Sequence, residues 1–211
     1  MKKVYFIRHA ESEGNVGSIR NTSLTPLSEK GRRQADIIAE RCSRLPIEVI
    51  ISSTFVRARE TAETVSRTLS MPVQYSDLFG ERRRPSEQLG KPKNDPSSLR
   101  AESEVIKNFA HTGYRFSDEE NFDDLKVRAK NALAYIENTE EENILVITHG
   151  HFMKVILSHI LFEDSLSGEN CQNVLKKFHM ENTGITVACY NKEKSVSPWW
   201  IWIWNDHSHL G

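Results

Sequence analysis

Short apolar runs that end in polar residues recur along the chain. Three of them occupy residues 4–7, 48–53 and 143–148. Continuous apolar runs bounded by turn residues are typical of strands that a parallel sheet buries on both faces. We therefore predict three parallel strands over these residues.

Between and after these runs, apolar residues recur at spacings of three and four, which is the helical period. Such stripes lie within residues 35–45, 58–69, 125–136 and 152–160, and Ser28 is a candidate N-terminal cap for the first helix. Strands that alternate with helices predict an α/β fold with right-handed crossovers. We expect a three-layer sandwich with a mostly parallel central sheet and helices on both faces.

Residues 79–121 depart from this alternation. They are rich in charged residues, proline, serine and glycine, and their apolar periodicity is weak. Long segments of this kind in a compact domain are usually functional or disordered. We expect a surface insertion that lies over the active site and covers the substrate.

The C-terminal residues predict an antiparallel edge to the sheet. Residues 183–190 and 199–204 are two β-type runs separated by residues 191–198, a pattern typical of a hairpin. All four tryptophans lie in the second run. Packing in the core and on the sheet explains them better than a platform for stacking bases, because tryptophan is a preferred strand residue. Whether this strand is a protected edge or a dimer contact is left open, and so is the oligomeric state.

Composition narrows the protein class. The 211 residues include 28 Lys and Arg against 29 Asp and Glu, a net charge of −1, and we expect a single domain over residues 1–211. This balance argues against nucleic acid as a partner, and the sequence has no run long enough to span a membrane. The three cysteines are widely separated, which argues against a disulfide framework. With no signal-peptide core at the N-terminus, we expect a cytoplasmic protein.

The predicted strands end in residues that suit an anion site. Arg8 and His9 follow the first strand, Arg57 follows the second, and His149 and Gly150 follow the third. Ligands of parallel α/β sheets bind beyond the carboxyl ends of the strands. Guanidinium groups match phosphate oxygens bidentately, and one of two histidines in such a site can act as a nucleophile towards phosphorus. A carboxylic acid is then needed to protonate the departing oxygen.

Four sequence blocks resemble the histidine phosphatase superfamily, the phosphoglycerate mutase-like enzymes. They read IRHAESEGN at residues 7–15, LSEKGRRQA at 27–35, SSTFVRARETA at 52–62 and VITHG at 146–150. Their order along the chain is also that of the family. The resemblance implies a phosphatase that acts on small phosphorylated substrates, with no metal or organic cofactor.

Carried over position by position, the resemblance implies a role for each matching residue. His9 is then phosphorylated during turnover, and His149 completes the catalytic pair. Arg8, Asn15 and Arg57 bind the phosphoryl group, and Gly150 allows the backbone to approach it.

Two departures from the family pattern bear on these roles. Ala10 stands where glycine usually follows the Arg-His pair, so the approach of the backbone to phosphate is in question. In the acid region, residues 79–87 read FGERRRPSE, which offers both Glu81 and Glu87. We prefer Glu81 as the general acid and base because it lies nearer the end of the preceding strand.

Other interpretations stay open at this stage. A zinc site at His149 and His151 lacks further ligands in the sequence. A phosphoglycerate mutase-type transfer uses the same pocket, although the Tyr-Gly that follows the glutamate and arginine in that branch is absent. A phosphate-binding module without turnover is a third alternative. Basic residues in the insertion form either a solvated face or a selector for substrates with further negative charge: Arg82, Arg83, Arg84, Lys91, Lys93 and Arg100.

Overall fold

The computed structural model describes residues 1–194 and 196–211. Its strands are β1 Lys2–Arg8, β2 Val49–Ser52, β3 Val73–Tyr75, β4 Asn143–Thr148, β5 Ile185–Tyr190 and β6 Trp199–Asp206. Its helices are α1 Glu13–Val16, α2 Glu29–Cys42, α3 Val56–Leu69, α4 Pro96–Asn108, α5 Phe122–Glu137, α6 Gly150–Phe162 and α7 Gly168–Lys177.

In the described residues these strands form one six-stranded sheet in the order β3-β2-β4-β1-β5-β6. The first four strands in that order are parallel, while β5 pairs antiparallel with β1 and β6 pairs antiparallel with β5. The prediction of a mostly parallel sheet with an antiparallel C-terminal edge is therefore confirmed. The carboxyl ends of β1, β2 and β4 meet at one edge of this sheet.

Helices pack on both faces because the buried side chains of each central strand alternate between them. Along β1, Val4 and Phe6 belong to the core under α5, α6 and α7, whereas Tyr5 and Ile7 belong to the core under α2 and α3. The Ser28 hydroxyl accepts a hydrogen bond from the Gly31 backbone N–H (3.0 Å) and caps α2, as its position predicts.

The insertion contains a helix that the weak periodicity of residues 79–121 did not predict. Only Ser98, Ala101 and Val105 of α4 are buried, so its apolar stripe is short. A cap identifies the helix instead: the Asp95 side chain accepts from the Ser98 backbone N–H, and Pro96 occupies the first turn. An Arg20–Glu102 ion pair at 2.6 Å joins α4 to the segment after β1.

The C-terminal hairpin is present, but its tryptophans are not all in the core. Trp199 is buried and donates to Glu137, whereas Trp202 is 57% exposed. Ala188 pairs with Ile201 and Val187 with Ile203, so Trp202 is the extra residue of a β-bulge and is turned outwards. Among the helices that the structure describes, none is long and apolar enough to cross a membrane.

Candidate active site

The two central parallel strands bring the predicted residues to one edge of the sheet. Arg8 at the end of β1 is in register with Thr148 at the end of β4. His9 and His149 follow directly, and their rings lie edge to face with centroids 5.0 Å apart. The chain positions of these residues are far apart, so it is the parallel register that makes them neighbours.

His9 is held as a neutral imidazole with a defined tautomer. Its Nδ1 lies 2.7 Å from the Ala10 carbonyl oxygen, which can only accept, so Nδ1 carries the proton. Its Nε2 accepts a hydrogen bond from Nε of Arg57 at 3.1 Å and therefore carries the lone pair. Burial and the charges of Arg57 and Arg8 hold the pKa of His9 well below its ordinary value. Nε2 of His9 is thus available as a nucleophile at neutral pH.

Arg57, which is buried, and Arg8, which is partly buried, supply positive charge close to His9. Arg57, in the first turn of α3, also donates to the Thr22 carbonyl oxygen at 2.8 Å. Burial lowers the pKa of Arg57 to about 10, so its guanidinium stays charged at neutral pH. Arg8 donates from Nη1 to the Met180 carbonyl oxygen at 2.6 Å, while its buried Nε has no partner among the described residues.

Gly150 lies close to the side chain of Arg8. A Cβ atom at this position would lie 3.2 Å from Nε and 3.3 Å from Cδ of Arg8, which is tighter than ordinary packing. A side chain here would push the Arg8 side chain by a few tenths of an ångström. Glycine therefore lets α6 begin directly against the anion site.

His149 is fully buried and has one ring nitrogen free. Its Nε2 lies 2.7 Å from the Ser53 hydroxyl, and its Nδ1 has no partner in the part of the chain that the structure describes. Burial, with the nearby charge of Arg57, holds the pKa of His149 well below its ordinary value. A neutral His149 whose Nε2 accepts from Ser53 presents Nδ1–H as a donor.

Glu81 lies at the N-terminus of α6, beside the same cavity. Its carboxylate accepts from the backbone N–H groups of Phe152 (3.0 Å) and His151 (3.3 Å), and also from that of Arg82 (2.8 Å). The first turn of a helix has free N–H groups and a positive dipole end, which attract a carboxylate. Glu87 does not line the cavity, so the structure favours Glu81 as the residue that can reach a ligand.

The cavity measures about 580 Å³; every predicted site residue except His149 lines it, and His149 lies behind it, against the His9 ring. Other residues line it as well. Asn15 lines it, and because Oδ1 of Asn15 accepts from Ser12, its amide nitrogen is the group that can face a ligand. Sequence reasoning missed two backbone carbonyls, those of Thr22 and Met180, which orient the arginines. It also missed Asn182, whose amide donates to the His9 carbonyl oxygen at 2.8 Å. Hydrogen bonds to the main chain leave no pattern of side chains to detect.

Arg128 fixes the segment that carries Glu81. Its guanidinium donates to the carbonyl oxygens of Leu78 (3.1 Å) and Gly80 (2.8 Å) and forms a partly buried ion pair with Glu120 at 2.7 Å. It also lies 3.6 Å from the ring centroid of Phe152 in α6. Arg128 thus connects the segment that carries Glu81 with α6, whose N-terminus binds the Glu81 carboxylate.

Comparison with known proteins agrees with this geometry. The sequence profile of the histidine phosphatase superfamily (branch 1) matches residues 4–203. A putative phosphoserine phosphatase 2 from Hydrogenobacter thermophilus is 29% identical over 93% of this chain and 93% of its own length. A probable phosphoglycerate mutase GpmB from Photorhabdus laumondii is 30% identical over 95% of this chain and 91% of its own. The solved structure of Bacillus stearothermophilus YhfR superposes with a TM-score of 0.81 at 25% identity, covering all of both chains.

Proposed function

The chain belongs to the histidine phosphatase superfamily, and we propose that it hydrolyses small phosphate monoesters through a phosphohistidine formed on His9. The observation that carries this proposal is the state of His9: a neutral imidazole whose Nε2 accepts a hydrogen bond from the buried Arg57, with the charge of the partly buried Arg8 nearby. A nucleophile in a cationic cavity suits attack on a phosphoryl group. We also propose that residues 79–121 cover the substrate, because Glu81, Arg82 and Arg84 of this insertion line the same cavity.

The first half-reaction transfers the phosphoryl group to His9. Nε2 of His9 gives up its hydrogen bond with Arg57. Its lone pair then forms the P–N bond while the ester P–O bond breaks. The departing oxygen takes the electron pair and receives a proton from Glu81, which enters this step protonated on one carboxyl oxygen and leaves it as a carboxylate. Arg8, Arg57 and the Nδ1–H of His149 stabilise the oxygens of the transferring group, and Asn15 adds an amide donor.

The second half-reaction releases phosphate and restores the enzyme. Glu81, now a carboxylate, accepts a proton from a water molecule whose oxygen forms a new P–O bond. The P–N bond breaks, and its electron pair returns to Nε2 of His9. Each cycle converts one monoester and one water into one alcohol and one phosphate.

Phosphate release from a panel of phosphorylated metabolites tests the proposal, together with acid quenching to trap phosphohistidine. We expect release of phosphate from several small monoesters and an acid-labile phosphoryl group on His9. A protein that binds phosphate without hydrolysing any monoester and without forming phosphohistidine would contradict the proposal and favour a binding module.

The mutase-named relatives support a second candidate, phosphoglycerate mutase-type transfer, which returns the phosphoryl group to another hydroxyl. The segment after Glu81 reads RRRPS, without the Tyr-Gly expected of that branch, and this favours hydrolysis. Phosphoglycerate interconversion assayed beside phosphate release separates the two functions. We expect release of phosphate to exceed interconversion.

The contacts of Arg128 predict that this residue positions Glu81. In the Arg128→Met variant we expect kcat to fall about 10-fold or more, because small misplacements of catalytic groups are costly. Binding of inorganic phosphate, measured by calorimetry, should stay within about twofold because Arg8 and Arg57 are unchanged. The variant should also lose about 3 kcal/mol of folding free energy, since Glu120 is left partly buried without its partner.

The matched control is Arg44→Met, which removes an exposed ion pair with Glu40. Exposed pairs contribute about 0.5 kcal/mol, and Arg44 lies outside the cavity, so neither stability nor kcat should change appreciably. If Arg128→Met lost stability while kcat at a temperature where it is fully folded stayed at the wild-type value, Arg128 would be structural only.

A further inference from the structure

One turn bonds the backbone carbonyl oxygens of both cavity residues at the end of β1. It consists of residues 180–184, directly before β5, and we call it the 180–184 turn. The Thr183 backbone N–H donates to the Arg8 carbonyl oxygen at 2.9 Å, and the Asn182 side-chain amide donates to the His9 carbonyl oxygen at 2.8 Å. Two successive carbonyl groups of the candidate active site are therefore held by this turn.

The bond to Arg8 is not part of the regular pairing of β1 with β5. The ladder pairs Ile7 with Ile185, so a continued register would place Gly184 opposite Arg8. The N–H that reaches the Arg8 carbonyl oxygen belongs instead to Thr183, one residue further from β5. The turn therefore contacts the end of β1 through a geometry of its own.

This geometry holds Thr183 in a strained backbone conformation. Its φ is 62°, in the left-handed region, which is a genuine outlier for a β-branched residue, and its side chain is buried. Strain of this kind persists only where the surrounding contacts over-determine it, and it is concentrated at functional sites. The strain at Thr183 therefore points to a function for the 180–184 turn.

Asn205 in β6 anchors the turn. Its Oδ1 accepts a hydrogen bond from the Glu181 backbone N–H at 3.0 Å. The same oxygen fills the space beside Gly184, where a Cβ atom would overlap with it. Glycine at position 184 thus leaves room for the side chain that holds the turn against the sheet.

Asn182 acts on the peptide group between His9 and Ala10. It binds the carbonyl oxygen of this peptide, while Thr61 Oγ1 accepts from its N–H at 3.2 Å, so both edges of the peptide are held. The next carbonyl oxygen, that of Ala10, accepts from Nδ1 of His9 at 2.7 Å and so leaves the lone pair on Nε2. The orientation of this peptide therefore sets the position of the acceptor that fixes the His9 ring.

We propose that Asn182 is a positioning residue for the nucleophile and acts from the 180–184 turn. It holds the peptide that follows His9, and through this peptide it fixes the Ala10 acceptor and the direction of Nε2. This inference rests on the proposed phosphatase function, in which Nε2 attacks phosphorus. Asn182 does not line the cavity, so it contributes to the geometry of His9 and not to substrate binding.

Orthovanadate tests this positioning without turnover. Its vanadium takes Nε2 of His9 as a fifth ligand and then resembles the transition state of phosphoryl transfer, whereas inorganic phosphate is bound mainly by the arginines. We expect the wild type to prefer vanadate. In Asn182→Ala, vanadate should bind about 30-fold more weakly, because small misplacements of catalytic groups are costly. Phosphate should bind within about threefold of the wild type, since both arginines remain; calorimetry measures both affinities.

Single-turnover kinetics provide a second measurement. Rapid acid quenching with p-nitrophenyl phosphate gives the rate constant for formation of phosphohistidine. This rate constant should fall about 30-fold in Asn182→Ala, because a good leaving group makes the attack by His9 the limiting event. The rate is measured at a temperature where a melting curve shows the variant to be folded.

Asn205→Gly provides a second variant that leaves Asn182 in place. Glycine retains the left-handed backbone at this position, where φ is 47°, and removes the acceptor of the Glu181 N–H. Because the turn keeps its bonds to the end of β1 but loses its anchor, we expect a smaller loss of about 5-fold in vanadate affinity and in the single-turnover rate.

Asn108→Ala is the matched control. Asn108 is also partly buried, and its amide also donates to a backbone carbonyl oxygen, that of Glu104 at 2.9 Å, but it lies outside the cavity. Vanadate affinity and the single-turnover rate should stay within about twofold of the wild type, since substitutions away from a site have small effects.

Three results would overturn the positioning role: equal affinity of the wild type for the two anions, a folded Asn182→Ala that keeps the preference for vanadate, or an equal loss of affinity for both anions. Steady-state hydrolysis of p-nitrophenyl phosphate is measured on the same proteins. A wild type that hydrolyses nothing, but whose preference for vanadate disappears in Asn182→Ala, would overturn the phosphatase function and leave the positioning role standing. Equal hydrolysis by the wild type and Asn182→Ala would do the reverse.

Discussion

Replacement of His9 with alanine is expected to lower kcat/KM for phosphate release by at least about 10⁴-fold. Nε2 of His9 is the nucleophile of the proposed mechanism. The hydrogen bond from Nδ1 to the Ala10 carbonyl oxygen places the proton of the neutral ring on Nδ1, and burial with the charges of Arg57 and Arg8 lowers the pKa of His9. Alanine removes the atom that forms the P–N bond. Water would then have to attack the monoester directly, with only Arg8, Arg57 and His149 to stabilise the transition state.

The measurement is phosphate release under steady-state conditions, combined with mass spectrometry of acid-labile phosphoryl adducts. His9→Ala should show no adduct, yet it should still bind inorganic phosphate within about 10-fold of the wild type, because both arginines remain. His111→Ala is a matched control, since His111 is exposed and lies outside the cavity. An active His9→Ala variant, or an adduct found on another residue, would rule out the phosphohistidine mechanism on His9.

Much of the fold is predictable because local patterns and global packing agree. The apolar runs of β1, β2 and β4 are buried on both faces. Alternate residues of each strand pack in the hydrophobic cores on the two faces of the sheet. Features that depend on a single residue were less predictable. The bulge at Trp202 shifts the pairing of β5 and β6, and a period of two along the strand gives no sign of it. Helix α4 was not predicted because its apolar stripe is short. Its N-terminal cap Asp95 and the following Pro96 are nevertheless a recognisable signal for the start of a helix.

The convergence of the candidate site was predictable for a similar reason. Arg8 is the last residue of β1, His9 and His149 directly follow β1 and β4, and parallel strands bring their carboxyl ends to one edge. The residues that orient them were not predictable. Arg128 acts through the carbonyl oxygens of Leu78 and Gly80, and main-chain acceptors are the same at every sequence position.

Replacement of Glu81 with glutamine is expected to lower the steady-state rate about 10³-fold for an alkyl phosphate. Glu81 gives its proton to the departing oxygen in the first half-reaction and accepts one from water in the second. Glutamine retains the size of the side chain but does neither. The Glu81 carboxylate also accepts from N–H groups of α6, so a melting curve should accompany the kinetics to show that the variant is folded.

A substrate with a good leaving group separates the two roles of Glu81. The p-nitrophenolate ion departs without needing a proton, so formation of phosphohistidine should be slowed by about 10-fold or less in Glu81→Gln. The second half-reaction still lacks its base. We therefore expect rapid-mixing experiments to show a burst of about one p-nitrophenol per active site, followed by slow turnover, with phosphohistidine accumulating on His9.

Glu87→Gln is the matched control, because the sequence offers Glu87 as the alternative acid while the structure places it outside the cavity. This variant should retain rates within about twofold of the wild type for both substrates and show no burst, since surface substitutions away from a site have small effects. If Glu87→Gln instead produced the burst and Glu81→Gln did not, the roles would be reversed. Residues 81–87 would then have to move so that Glu87 enters the cavity and Glu81 leaves the N-terminus of α6. Because Arg128 fixes the backbone on the N-terminal side of Glu81, and Glu81 itself binds three backbone N–H groups, we expect the burst in Glu81→Gln.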